Sequence, residues 1–180
     1  MFCSTFHQFC AIATKLKKSP NSKARFIEIC RETQCQKPHN VEHDVPTWWN
    51  STYLQLLSIV RCENAIVTWQ CDKQFGTPRN LQVNQEDLDL AADLVQILKP
   101  FYKMTLQLSM KALDRVAEVV VMIDQITATL SAVIANKDGQ YPAALRNACC
   151  FGLQITNKYY LLTDCAPIYR IAMGRPFLRV

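Results

Sequence analysis

Apolar residues recur along most of this chain at intervals of three and four, the period of an α-helix with one buried face. Phe2, Phe6, Phe9, Cys10 and Ile12 fall on one broad face, and Leu16 leads from it into a lysine-rich end. Ser19-Pro20 predicts a second helix start: a serine hydroxyl can cap free N–H groups, and proline in the first turn has no N–H to leave unpaired. Phe26, Ile27 and Cys30 then give a short apolar face. Residues 33–46, with Pro38 and Pro46, predict a loop. From Thr47, read as a cap, a stronger stripe through Trp49, Tyr53, Leu54, Leu56, Leu57, Val60, Ala65 and Val67 predicts a single long helix.

Gln74 to Asn84, with Gly76 and Pro78, interrupts the pattern. A further helix is predicted from Asn84, with Glu86 and Asp87 in its first turn, where carboxylates suit the helix dipole. Its face runs Leu88, Ala91, Leu94, Val95, Leu98, Phe101 and Tyr102, and Pro100 predicts a kink or a division. Ala112 to Ala135 contains the β-branched run VVVMI, but its sustained helical period (Val116, Val119, Val120, Ile123, Ile126, Leu130, Ile134) argues for helix over strand. After Lys137-Asp138-Gly139, Pro142 opens a last helix through Leu145, Phe151, Ile155 and Tyr159. The expected fold is all-α, a helical bundle with Trp49, Tyr53, Leu57, Leu94, Leu98, Phe101, Val120 and Ile123 in its core.

Composition supports that picture. The chain has 180 residues, 49% apolar and 19% charged, enough to bury a sizeable core. Four glycines are too few for a turn-rich β fold, and none forms a phosphate-cradling loop. The nine cysteines are odd in number and irregularly spaced. The amino terminus has neither the basic start nor the small-residue cleavage site of a secretory signal, so reduced thiols in an intracellular protein are expected. No apolar run reaches the length of a membrane span, and no membrane role is expected.

Charge adds a candidate function. The net charge is +5, and residues 1–40 account for the surplus: Lys15, Lys17, Lys18, Lys23, Arg25, Arg31 and Lys37 stand against Glu28 and Glu32. Such a basic segment can meet a phosphate backbone, or it can be a solvated helix face. Cys30, Cys35, His39 and His43 offer zinc-ligand types, but the gap between the pairs is too short for a zinc finger, so no metal is expected. Asp87, Asp89 and Asp93 are carboxylates of the kind a metal-dependent nuclease needs, but at a helix start acidic residues are ordinary. No catalytic residue and no cofactor site emerges.

The segment DVPTWWNSTY at 44–53, followed by the helix LQLLSIVRCENAI, resembles the D-x-P-T-R-W-N-S-T-Y signature of hAT-superfamily transposases and of the zinc-finger BED proteins domesticated from them. Flanking segments agree in order: SPNSKARFIEIC before it, and LVQILKPFYKMTLQLS and NKYYLLTDCAPIYRIAM after it, so that the resemblance covers about residues 15–173. It implies the helical insertion of an RNase H-like transposase domain. The family's catalytic aspartates lie before the matched region and its catalytic glutamate after it, so the resemblance implies a fragment inactive by itself. Asp44 belongs to the signature and carries no catalytic role.

Where the family has Arg-Trp this chain has Trp48-Trp49. Trp49 keeps the aromatic that the resemblance assigns to base stacking, and the guanidinium is lost, a loss that an indole cannot make good. After Met173 the sequence GRPFLRV departs from the family. The expected organisation is 1–43 basic helices, 44–173 transposase-like helical region and 174–180 divergent tail. The expected function is weak residual DNA binding in the nucleus through Trp48, Trp49, Lys15, Lys17, Lys18, Lys23 and Arg25. A helical protein-interaction module or homo-oligomer without a DNA role is the alternative.

Overall fold

The computed structural model describes residues 2–45, 48, 50–110, 116–136 and 139–165. Among these the secondary structure is helical, without a strand: α1 (Phe2–Lys18), α2 (Pro20–Glu32), α3 (Asn50–Arg61), α4 (Glu63–Gln70), α5 (Gln85–Met110), α6 (Val116–Ala135) and α7 (Ala143–Cys165), with one 3-10 turn at Arg79–Leu81. The all-α expectation holds. Two compact units divide between Gln96 and Ile97.

In the first unit α1 packs on α2 and α3, α2 on α4, and α3 on α4. The helix starts follow local chemistry. Ser19 Oγ accepts the Ser22 N–H at 3.3 Å with Pro20 in the first turn. Asn84 and Asp87 cap α5 reciprocally, Asn84 Oδ1 accepting the Asp87 N–H at 2.9 Å and Asp87 Oδ2 accepting the Asn84 N–H at 3.0 Å. The core centres on Trp69, which has no solvent exposure and meets Phe26 edge-to-face with ring centroids 5.8 Å apart. Phe9, Ile12, Ile29, Leu56, Ile59, Ile66 and Leu88 are also buried.

Several expectations are corrected. The predicted long helix from Thr47 is two, broken at Cys62, whose N–H lies 3.2 Å from the Ser58 carbonyl and 3.1 Å from that of Ile59, a tightened last turn. Of the predicted core, Tyr53 and Val120 are buried, whereas Leu57, Leu94, Leu98, Phe101 and Ile123 are half-buried; Trp49 and the cap at Thr47 lie outside the described residues. The face of α3 that is buried instead includes Ser51, Gln55 and Ser58, because the preceding loop folds onto Ser51 and Ser58 and Cys10 of α1 meets Gln55. Pro100 does not divide α5. Its missing N–H removes the partner of the Gln96 carbonyl, and the boundary between the compact units follows Gln96.

In the second unit α6 packs along α7, burying Val120, Met122, Leu130, Val133, Leu145 and Cys149. Gly152 faces Leu130, where a Cβ would lie 3.4 Å from Leu130 Cδ1, an ordinary van der Waals contact. The link between the helices is closed by Asn136, whose Oδ1 accepts the Tyr141 N–H at 2.8 Å. No uninterrupted apolar run of span length occurs in α6, although residues 118–135, with Glu118 and Asp124 their only charges, are long and apolar enough to cross a membrane by length and composition.

Candidate nucleic-acid interface

The chain from Asn40 to Val45 is held against α3 by polar groups. The Glu42 N–H donates to Ser58 Oγ at 2.8 Å, and Arg61 Nη2 donates to the Asn40 carbonyl at 3.0 Å and to its side-chain oxygen at 3.2 Å. Asp44 Oδ1 accepts the hydroxyls of Ser51 at 2.6 Å and Thr52 at 3.0 Å, while the Val45 N–H donates to Ser51 Oγ at 2.7 Å. The Asp, Ser and Thr of the signature thus form one hydrogen-bonded lock at the start of α3, where a carboxylate also favours the helix dipole. Trp48 emerges from this lock 60% exposed, its N–H on the Val45 carbonyl and its own carbonyl taking the Ser51 N–H.

The basic residues divide into two groups. Lys15 donates its ammonium to the Gly76 carbonyl, and Arg25 faces Glu28 at 3.1 Å, Glu32 at 3.7 Å and Asp72 at 3.8 Å. The Glu28 hydrogen bond, followed by the charges of Glu32, Glu28 and Asp72, raises the Arg25 pKa against some desolvation. Asp72 Oδ1 accepts the N–H groups of Gln74 at 2.9 Å and Phe75 at 3.0 Å. These bonds, more than the cations Arg25 and Lys15, hold its carboxyl below the ordinary value. Ser22 Oγ adds a bond to the Phe75 carbonyl at 3.0 Å. Lys15, Ser22 and Arg25 therefore clamp the turn after α4. A Cβ at Gly76 in that turn would sit 2.5 Å from the Asp72 and Gln70 carbonyl oxygens.

Lys17, Lys18 and Lys23 are exposed and face no carboxylate within ion-pair distance among the described residues. Two of them border a cleft of about 250 Å³ between the end of α1, the second turn of α2 and the chain at 40–43, lined by Leu16, Lys17, Lys23, Phe26, Asn40, Val41, Glu42 and His43. The charge pattern alone pointed to its lysines. Its 40–43 wall was not recognisable, because proximity to α1 and α2 depends on the loop lying back on α3.

The candidate metal ligands are engaged separately. His43 Nε2 lies 3.4 Å from Thr14 Oγ1, and His39 Nε2 3.0 Å from the Cys35 carbonyl. Cys30 and Cys62 are buried against each other: a hydrogen bond to the Cys62 sulfur, with burial, pushes the Cys30 thiol up, so it remains protonated. Of the acidic trio, Asp87 also accepts the Thr5 hydroxyl at 2.7 Å and Asp89 the Gln85 amide at 2.9 Å.

Residues 3–97 match the family model of the ZBED1 RNase-like helical domain, a span that coincides with the first compact unit. No curated protein and no solved structure matches the chain.

Proposed function

The chain belongs to the ZBED1 RNase-like helical domain family and is a transposase-derived helical region, and from that premise we propose that it binds DNA weakly in the nucleus without cutting it. The observation that carries this reading is an exposed tryptophan in the same compact unit as three exposed lysines that face no carboxylate within ion-pair distance among the described residues. Five peptide steps separate His43, at the cleft, from Trp48, so an extended chain could part them by at most about 17 Å, and a DNA strand of a few nucleotides reaches both. Stacking a base on an aromatic ring is worth about 1–3 kcal/mol by alanine substitution, and Lys17, Lys18 and Lys23 supply sequence-independent attraction.

The absence of cutting rests on how the acids are used. Two-metal phosphoryl transfer needs carboxylates converging on metals about 3.5–4 Å apart, whereas Asp87 caps α5 and Asp89 meets Gln85. Purified protein is expected to leave DNA intact with magnesium or manganese.

Fluorescence anisotropy with a hairpin oligonucleotide at several salt concentrations tests the binding. Three lysine contacts predict a slope of log affinity against log salt of about −2.7. Trp48→Arg, restoring the phosphate-pairing group, raises affinity, and Trp48→Ala lowers it. The second reading, a protein-interaction module, draws on exposed Phe151, Ile155, Tyr159 and Leu162, which share one stripe of α7. Absence of DNA affinity at low salt, together with a defined protein partner lost in Ile155→Asp, would establish that reading instead.

A further inference from the structure

We propose that the cleft between α1, α2 and residues 40–43 seats one nucleotide of a single DNA strand, its phosphate between Lys17 and Lys23 and its base against Val41 over the buried Leu16 and Phe26. The inference rests on the DNA-binding reading and assigns it a specific seat. Three observations carry it. The lining is of two kinds: apolar Leu16, Phe26 and Val41, the first two buried, and charged or polar Lys17, Lys23, Asn40, Glu42 and His43, of which all but Asn40 are exposed. Neither lysine is neutralised by an ion pair among the described residues, in contrast to Arg25 on the same helix as Lys23. The volume of about 250 Å³ falls below the roughly 300–1,000 Å³ of sites for drug-sized ligands, a size that suits a single nucleotide.

The remaining polar groups give the seat a preference. Glu42 takes the Asn40 amide on Oε1 at 2.6 Å, which leaves its other oxygen to accept from an exocyclic base amine, the pairing carboxylates make with cytosine. Thymine has no such amine. His43, beside Thr14, adds a third polar group to the lining.

The test uses the full chain and five-nucleotide single strands: oligo-dC, oligo-dT and an abasic strand of equal charge, with inorganic phosphate as competitor. Oligo-dC is expected to bind about tenfold tighter than the abasic strand, the scale of covering one base ring with apolar side chains, and tighter than oligo-dT. Val41→Trp, which fills the cleft, should bring oligo-dC down to the abasic level while leaving the lysines in place, and Glu42→Gln should remove the preference over oligo-dT. Equal binding of all strands, or binding of oligo-dC unchanged by Val41→Trp, overturns the seat. If Lys17→Ala/Lys23→Ala still weakens every strand in that case, the DNA reading survives without it. Inorganic phosphate displacing oligo-dC at equal concentration reduces the cleft to a simple anion site and also overturns the seat. Absence of binding to any strand removes both the seat and the DNA reading.

Discussion

Lys15 and Arg25 differ from Lys17 and Lys23 in what surrounds them, although the sequence presents all four as one basic run. An ammonium bound to the Gly76 carbonyl and a guanidinium among three carboxylates are already engaged within the fold, and a phosphate would have to displace those partners. Asp72 gives this difference a pH signature. Its carboxyl is held below the ordinary carboxylate value by the Phe75 and Gln74 N–H groups, then by Arg25 and Lys15. The folded state therefore favours the ionised form. The resulting stability is fully present above the unfolded-state value, and it is lost as pH falls through the lower folded value. Asp72→Asn keeps the acceptor oxygen for the turn but not the charge. The wild type is thus expected to be the more stable in chemical denaturation at about pH 6, with the gap closing below about pH 4; a gap that widens on acidification would contradict the assignment.

At the scale of elements, the helix starts were legible because their signals are local: Ser19-Pro20 and Asn84 with Asp87 act within four residues of themselves. The break between α3 and α4 was not, since no glycine or proline marks it, and the Asn40 carbonyl that Arg61 reaches lies 21 residues away. For the same reason periodicity selected Leu57 over Gln55 and Ser58, whose burial depends on polar partners from elsewhere: Cys10 lies 3.8 Å from Gln55 Oε1, and the Glu42 N–H reaches Ser58. It likewise passed over Trp69. Gln70 shows how far such a partner can matter. Its amide donates to the Val83 carbonyl at 2.8 Å and accepts the Val83 N–H at 2.9 Å, closing both backbone groups of a buried residue. Gln70→Ala is expected to cost about 2–6 kcal/mol in denaturant titration, because each of the two stranded buried groups costs roughly 1–3 kcal/mol. A loss below about 0.5 kcal/mol, the scale of ordinary surface substitutions, would contradict that role.

For the whole molecule, the family match and the first compact unit agree at the Gln96 boundary. The sequence boundary expected at 43/44 falls inside that unit, where α1 and α2 pack on α3 and α4, so the basic helices belong to the same compact body as the signature lock. The all-α class and the family resemblance could be read from the sequence because they depend on periodicity and on contiguous motifs. The division of the cations could not, because it is set by the turn after α4, which lies far from them in the chain. One paired measurement tests that division: the salt slope of DNA affinity together with the melting temperature, for Lys17→Ala/Lys23→Ala and for Lys15→Met. The first variant should reduce the slope by about 2, one unit for each phosphate contact, and melt as the wild type does. Lys15→Met, which keeps the aliphatic stem, should retain the slope and melt lower by about 3–8 °C. A Lys15→Met variant that melts normally and loses as much slope as Lys17→Ala/Lys23→Ala would contradict the account.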